Sequence, residues 1–294
     1  GDIFSPAQIE QTTEALRDFY GQVGYLDTYV RAIRKANVDT GAIDVNFNVI
    51  ESEKFFVESI VVQGNDKTQS TVVLRELALA PGDVFDLKRM RLSEARLRNT
   101  RYFDEVNIDP EPTNIPGRRN MRISLREGRT GMLTFGAGFS TVENLVAFAE
   151  FTQGNFDLFN GGNSFFDWFG GRNSFQGAGQ KFRLRLALGT KTNMILLSFE
   201  EPWLFQRQLG FEWNGYRQES SYYSDFYDET RLGTSFFFRK RIWELIEGRV
   251  GYTVEDIGVS DVSQNAPMDI KKESGHRSVS KVTVNFLRDQ RNSL

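Results

Sequence analysis

Two spacings of apolar residues divide the chain. Up to Gly128, blocks at helical spacing alternate with short runs of period two; from Gly131 onward almost every run has period two. The block SPAQIEQTTEALRDFYGQVGYLD predicts a helix. Ser5 suits the cap, Pro6 the first helical position, and Gln8 completes a capping box. Ile9, Leu16, Phe19 and Tyr20 share a face, and Gly21 and Gly24 end the helix. Two strands follow, DTYVRAIRK and AIDVNFNVIES. In the second, Ile43, Val45, Phe47 and Val49 alternate with polar residues, and NVDTG supplies the turn between the two.

A longer version of the same order comes next. FFVESIVVQGN predicts a strand ending in a Gly-Asn turn, and TQSTVVLRELAL a helix stopped by Pro81 and Gly82. DLKRMRLSEARLRNT predicts a second helix capped by Asp86, YFDEVNIDPEP a strand broken by Pro110 and Pro112, and NMRISLREG a last strand. The order is β-α-α-β-β. The first copy shows its final α-β-β part, so the two form a repeat array. The basic run Lys88, Arg89, Arg91, Arg96, Arg98 and Arg101 offers charge to an acidic partner. Its plainer reading is a solvated helix face.

Beyond Arg129 eight alternating strands of roughly 8–11 residues are predicted. They are GMLTFGAGFST, LVAFAEFTQGN, KFRLRLALG, TNMILLSFEEP, LGFEWNGYRQE, TRLGTSFFFRK, EGRVGYTVEDI and VSKVTVNFLRD. The clearest sets Phe182, Leu184, Leu186 and Leu188 against Lys181, Arg183 and Arg185. Alternation alone fits a soluble sandwich with its apolar face inward. Bulky apolar faces opposite glycine and charge favour a membrane barrel. So do aromatics gathered near strand ends: Trp203 and Phe205, Tyr222 and Tyr223, Phe226 and Tyr227, Trp243. The aromatic connection from Asn163 to Phe175 fits no strand; local packing or lipid contact is its expected role.

Composition sharpens this division. All four tryptophans and most of the 26 phenylalanines and 26 glycines lie beyond Arg129. A hydrophobic content of 39% argues against wholesale disorder, and a net charge of −3 gives no basic excess for nucleic acid. Without cysteine there is no disulfide or thiolate metal site. One histidine, His276, cannot build a triad or a multi-histidine metal site. No phosphate loop or Gly-x-Ser-x-Gly occurs. Glu200 and Glu201 are adjacent, so in a strand they face opposite ways. No enzyme and no cofactor are expected. The opening GDIFSPAQ and a last strand with nothing to close it suggest a piece of something longer.

The motifs, in this order, resemble one family. Helix plus YGQVGYLD resembles the second helix of a POTRA domain with its Gly-Tyr ending, here Gly24 and Tyr25. NTRYFDEVNI is similar to the POTRA signature carried by Tyr102, Phe103 and Val106. LLSFEEPWLF resembles a barrel strand of the outer-membrane barrel assembly factor (BamA) family, with Phe199, Glu201 and Pro202 matching. FLRDQRN is similar to the Arg-Asp-x-Arg step after that family's eighth barrel strand, here Arg288, Asp289 and Arg291.

The resemblance implies a fold of α+β POTRA domains (β-α-α-β-β) followed by an antiparallel transmembrane β-barrel, incomplete in this chain. Residues 1–53 would be the end of one POTRA domain, the fourth; 54–128 a complete one, the fifth; and 129–294 the first eight barrel strands. It implies an outer-membrane insertase with its POTRA domains in the periplasm. Its partners would be unfolded β-barrel clients, accessory assembly lipoproteins and outer-membrane lipid, with no nucleic acid. The implied lateral seam is the first barrel strand, through Gly131, Leu133, Phe135, Gly136, Ala137, Gly138 and Phe139, where glycine would weaken local pairing or merely relieve crowding. The implied client-holding edges are Tyr29, Val30, Arg31 and Ala32, and Val106, Asn107, Ile108 and Asp109. A POTRA-barrel translocation channel, of the two-partner secretion or chloroplast import kind, and a non-membrane interaction protein are the alternatives.

Overall fold

The computed structural model describes residues 4–37, 41–140, 144–161, 175–221, 226–243 and 245–290. It forms two compact units, Gly1–Gly128 and Arg129–Leu294.

The first unit opens with α1 (Pro6–Gln22), whose cap Ser5 accepts the Gln8 N–H on its hydroxyl at 3.4 Å. Gly21 does not end this helix. It lies inside it, and a Cβ there would strike the Leu87 side chain. The stop comes at Gly24, whose φ of +98° only glycine adopts easily. Around it Tyr25 N–H donates to Tyr20 C=O (3.0 Å) and Gly24 N–H to Gly21 C=O (3.4 Å), with the Tyr20 and Tyr25 rings edge to face. This is a Schellman closure. Strands β1 (Tyr29–Asn37) and β2 (Ala42–Ile50) pair antiparallel from Tyr29–Ile50 to Asn37–Ala42; three residues of the expected turn, 38–40, lie outside the described residues.

The second repeat runs β3 (Phe56–Gln63), α2 (Ser70–Leu74), α3 (Leu87–Asn99), β4 (Phe103–Pro112), β5 (Arg118–Glu127). Its sheet has the order β3-β5-β4, with β5 parallel to β3 and antiparallel to β4. Val57, Val73, Phe85, Leu97, Met121 and Ile123 are fully buried beneath the helices. Asp86 caps α3 by accepting the Lys88 and Arg89 N–H groups at 2.7 and 3.1 Å.

Two predictions are corrected here. The helix expected through Leu79 stops at Leu74. Glu76 N–H reaches only to Val73 C=O (3.1 Å) and Leu77 N–H to Leu74 C=O (3.2 Å), so the chain tightens into i→i−3 turns. Ala78 N–H is then taken by the Ser93 hydroxyl (2.8 Å), and Leu79 turns into the core. Nor do the prolines break β4. Pro110 and Pro112 stay in register opposite Met121 and Arg119. They share one parity on an edge strand, so their missing N–H groups fall on the side facing away from β5.

The second unit is one open antiparallel sheet of eight strands in strict sequence order. They are β6 (Gly131–Ser140), β7 (Asn144–Phe156), β8 (Gln180–Gly189), β9 (Thr192–Glu201), β10 (Leu209–Ser220), β11 (Asp228–Trp243), β12 (Ile246–Ser260) and β13 (Gly275–Arg288). β11 and β12 are longer than predicted, at 16 and 15 residues. A 3₁₀ turn, Leu204–Gln206, joins β9 to β10, and α4 (Met268–Lys272) lies between β12 and β13. Of the aromatic connection, residues 162–174 lie outside the described residues, as do Tyr222, Tyr223 and Arg291.

Candidate functional site: two faces and a free edge

Register gives each face of the sheet its residues. Across one row Phe182 lies opposite Phe199, which lies opposite Trp213, then Phe236, Tyr252 and Val282. The row nearest β6 reads Leu133, Phe151, Leu184, Leu197. This face is mainly apolar, with Gln153, Thr234 and Ser280 set into these rows and Arg217, Asp256 and Ser278 in the row beyond. Phe182, Leu184, Leu197 and Trp213 are half-buried by their strand neighbours, and no second sheet packs on them among the described residues. Leu133, Phe135, Phe139, Leu188, Val282 and Phe286 are exposed. A continuous exposed apolar surface of this extent has no counterpart in a soluble sandwich.

The opposite face is polar and ion-paired. Glu150 meets Arg185 (3.5 Å) and Arg183 (3.9 Å). Glu200 meets Lys181 (3.5 Å) and Arg239, and Glu212 meets Arg249 (2.7 Å) while accepting from Asn214 (2.8 Å). Glu200 and Glu212 are direct cross-strand neighbours, a repulsive pairing unless each is drawn aside. The cations on their flanks do that. Arg249 also lies 3.9 Å over the Phe237 ring, and Arg185 5.0 Å over Phe148. Together Lys181, Arg183, Glu200, Glu212, Asn214 and Tyr216 line a concavity of about 560 Å³. Reading each strand singly missed this network. Its signal was present in the register: Glu150 pairs with Arg185 and Lys181 with Glu200 directly across the ladder.

β6 and β13 are the sheet's two edges. In β6, Gly131, Leu133, Phe135, Gly136, Ala137, Gly138 and Phe139 pair with β7 without interruption. The glycines are not alike. A Cβ on Gly136 would strike the Phe148 ring, and one on Gly131 would lie 2.6 Å from the Gln153 side-chain oxygen, whereas Gly138 has open space. Crowding therefore accounts for Gly131 and Gly136 but not for Gly138. The same aromatic-over-glycine packing joins Tyr216 to Gly233 and Phe237 to Gly251.

The other motif residues have local explanations. Tyr102, Phe103 and Val106 are core, the two rings edge to face at 6.4 Å. Phe199 belongs to a cluster in which Phe156 stacks on Phe175 (5.5 Å) and Phe182 (5.2 Å). Glu201 accepts Trp203 N–H on one oxygen and Gln180 Nε2 on the other, both at 2.9 Å, and Gln180 Oε1 accepts Leu158 N–H (2.8 Å). Glu201 therefore fastens the turn after β9, begun by Pro202, to the turn after β7. Beyond it Phe205 and Gln206 hold positive φ, and Phe205 is 82% exposed. Arg288 ends β13 opposite Ile246, and Asp289 N–H donates to Leu245 C=O (3.0 Å).

On the repeats, Tyr29, Val30, Arg31 and Ala32 lie in β1 of a two-stranded sheet. Val106, Asn107, Ile108 and Asp109 lie in β4, an edge of the three-stranded one. The basic run is only in part a solvated face: Arg91 crosses to Asp18 of the first repeat, and Arg89 meets Asp83 (3.0 Å).

Residues 174–294 match the Omp85 superfamily domain, and residues 1–52 and 55–128 match the POTRA family, described as the surface antigen variable number repeat. The outer membrane protein assembly factor BamA of Nitratidesulfovibrio vulgaris is 28% identical over 278 residues, covering 95% of this chain and 32% of the relative. A putative outer membrane protein assembly factor of Treponema pallidum is 28% identical over 214 residues, 72% of this chain and 24% of the relative. The crystal structure of Haemophilus ducreyi BamA lacking POTRA domains 1–3 superposes with a TM-score of 0.76 at 20% identity, covering 97% of this chain and 53% of that one. The chain thus spans about a third or less of these curated relatives and about half of the solved chain. Repeats, open sheet and matches agree: the chain carries POTRA repeats followed by part of an Omp85 superfamily barrel domain, and it is similar to outer-membrane protein assembly factors.

Proposed function

We propose that this chain is the membrane-proximal part of an outer-membrane protein insertase, comprising the end of the fourth POTRA domain, the fifth, and the first eight strands of the barrel. Similarity to outer-membrane protein assembly factors supports a sheet in a bacterial outer membrane and repeats in the periplasm. The carrying observation is the sheet itself. Its apolar face suits lipid, its polar face suits a wet lumen, and β6 ends it with a row of backbone groups that have no strand beside them among the described residues.

In this reading the free edge of β6, from Gly131 to Phe139, templates an incoming client strand through main-chain hydrogen bonds. No side chain performs chemistry and no cofactor takes part. Gly138, for which packing gives no reason, is the position where the seam is loosened. The partners are unfolded β-barrel proteins at β6, accessory lipoproteins and clients on the repeat edges, and lipid on the outward face. The relatives described above are named as assembly factors, which favours insertion over translocation.

The test is reconstitution of the full-length protein in vesicles with a barrel client. Phe135→Pro removes one backbone donor from β6 and Phe135→Ala only a side chain. Insertion should fall at least tenfold further with proline than with alanine. Equal insertion by the two variants would remove the templating role.

A further inference from the structure

At the end of the sheet where β6 begins, the outward apolar face stops in the same way on two neighbouring strands. Along β10 it runs Trp213, Phe211, Leu209, and along β11 Phe236, Phe238. The next outward position on β11 is Lys240, directly opposite Leu209, and Arg207 precedes Leu209 by two residues. Both cations are exposed, and neither pairs with a carboxylate among the described residues. The acidic residues before the turn are already engaged. Glu201 accepts from Trp203 N–H and Gln180, and Glu200 meets Lys181 and Arg239 on the opposite face. Between Glu201 and Arg207 the 3₁₀ turn carries one ring into the open. Phe205 is exposed at φ +56° and ψ +34°, and Gln206 follows at φ +57°. Two successive left-handed residues, neither of them glycine, are strained. The turn holds them there: Gln206 N–H donates to Trp203 C=O (3.0 Å) and Arg207 N–H to Leu204 C=O (3.2 Å). An aromatic thus stands where glycine would sit more easily, and its ring meets no other ring among the described residues. Strain of this kind gathers where an outside contact uses it.

We propose that Phe205, Arg207 and Lys240 form a binding site for the head-group region of an anionic phospholipid. The phosphodiester lies between Arg207 and Lys240, and the Phe205 ring lies against the glycerol esters and the first methylenes. Charge argues for phosphate, since two cations stand here without a free carboxylate. It also argues against a zwitterionic head, whose ammonium would meet the second cation. Continuity argues for lipid. The site prolongs the outward apolar face at the level where β10 and β11 both change from apolar to charged, as a surface does where hydrocarbon gives way to head groups. A general belt of interfacial aromatics has adjustable rings on its strands, whereas this ring stands on a turn whose backbone and Glu201 fastening fix its place. The turn after β7 lacks the combination: Phe159 is exposed, but Leu158 and Asn160 on either side bring no cation. A lipid bound at Phe205 sets the depth of the β9–β10 turn in the bilayer. The site rests on the lipid-facing reading of the sheet and uses nothing of the path taken by clients.

The probe is dimyristoyl phosphatidylglycerol, titrated onto the detergent-solubilised full-length protein and counted by native mass spectrometry, with dimyristoyl phosphatidylcholine as the comparison. The first phosphatidylglycerol should bind tighter than the first phosphatidylcholine, by about fivefold for each cation that meets the phosphate. Arg207→Gln and Lys240→Gln should each remove about that factor for phosphatidylglycerol and leave phosphatidylcholine unchanged. Phe205→Gly supplies the residue that the backbone favours. It should weaken both lipids while the melting temperature in detergent stays the same or rises. Equal affinity for the two lipids in the wild type overturns the proposal. Unchanged phosphatidylglycerol affinity in the Arg207→Gln, Lys240→Gln double variant does so too, and leaves the ring to a protein partner. A Phe205→Gly variant that melts lower yet binds both lipids as before assigns the ring to packing within the protein, with the same result. No client enters the measurement, so its failure leaves the insertase reading intact, and failure of client insertion leaves the lipid site intact.

Discussion

Asp18 of α1 and Arg91 of α3 form a two-bond ion pair across the junction of the repeats, Nη1 to Oδ2 at 2.8 Å and Nη2 to Oδ1 at 2.7 Å. It does not act alone. Phe55 N–H donates to Gly24 C=O (2.8 Å), Arg119 meets Asp27 while covering the Phe55 ring at 4.4 Å, and Gly21 admits Leu87. The joint is held at four points, so neither Asp18→Asn nor Arg91→Gln should unfold the repeats; each should cost about 0.5–1 kcal/mol, as an exposed pair does. The sharper readout is the angle between repeats. The chain has no cysteine, so a spin-label pair can be introduced freely, one label in each repeat. Electron–electron distance distributions should broaden in Arg91→Gln. An unchanged width would mean that the other three contacts set the angle.

The same pair predicts a pH response. The Arg91 guanidinium, chiefly through its hydrogen bonds, holds the Asp18 carboxyl below the ordinary range; burial pushes the other way, and the charge of Arg91 adds a smaller pull downward. A carboxylate with a depressed folded pKa stabilises fully above its unfolded value, about 3.9. That contribution is lost as pH falls through the lower folded value. The inter-repeat distance distribution should therefore hold from neutrality to about pH 5 and broaden only below about pH 4. Broadening already at pH 6 would point to another group.

Gly136 and Gly138 separate packing from seam function. Gly136→Ala drives a methyl into Phe148 and should lower barrel assembly and thermal resistance, with overpacking costs of about 1–3 kcal/mol. Gly138→Ala has room and should fold normally. A normal heat-modifiable gel shift together with reduced client insertion in Gly138→Ala would separate the two roles. If Gly138→Ala inserts clients as well as the wild type, the seam is not loosened there.

Much of the architecture was legible because it rests on local rules. Alternation marked all eight sheet strands, the Ser5 and Asp86 caps lay where side-chain chemistry demands, and Gly24 ended α1 through its backbone. Features set by distant residues were not legible. Nothing within TQSTVVLRELAL shows that Ser93, fifteen residues past Ala78, takes the amide that would have extended the helix. Pro110 and Pro112 looked like strand breakers until β4 was known to lie at an edge. Arg91 and Arg98 read as one solvated stripe, yet one bridges repeats and the other covers a carbonyl. Glu150, Glu200 and Glu212 became a network only once register placed cations beside them.

The two units should part company when expressed separately. Residues 54–128 bury a complete core around Phe85, Leu97 and Met121, and should melt cooperatively without detergent. Residues 129–294 expose Leu133, Phe135, Phe139 and Phe286 on one continuous face, and should need detergent or lipid to stay monomeric. Calorimetry and sedimentation check both. A detergent-free cooperative melt of 129–294 as a monomer would contradict a lipid-facing surface.

Ser93 offers the most local test of the fold. Its hydroxyl is fully buried, accepts Ala78 N–H at 2.8 Å and donates to Arg89 C=O at 2.8 Å. Ser93→Ala strands one buried amide while deleting little volume, at a cost of about 1–3 kcal/mol. For a repeat of this size that lowers Tm by about 5–15 °C. Hydrogen exchange at Ala78 should accelerate in the same variant, because its donor then has only solvent to turn to. Replacing the neighbouring exposed Arg89 by Gln removes its pair with Asp83 and should move Tm by a few degrees at most. If Ser93→Ala proves as mild as Arg89→Gln, with Ala78 still protected, then the tightened turn after α2 is held by the burial of Leu79 rather than by the hydroxyl.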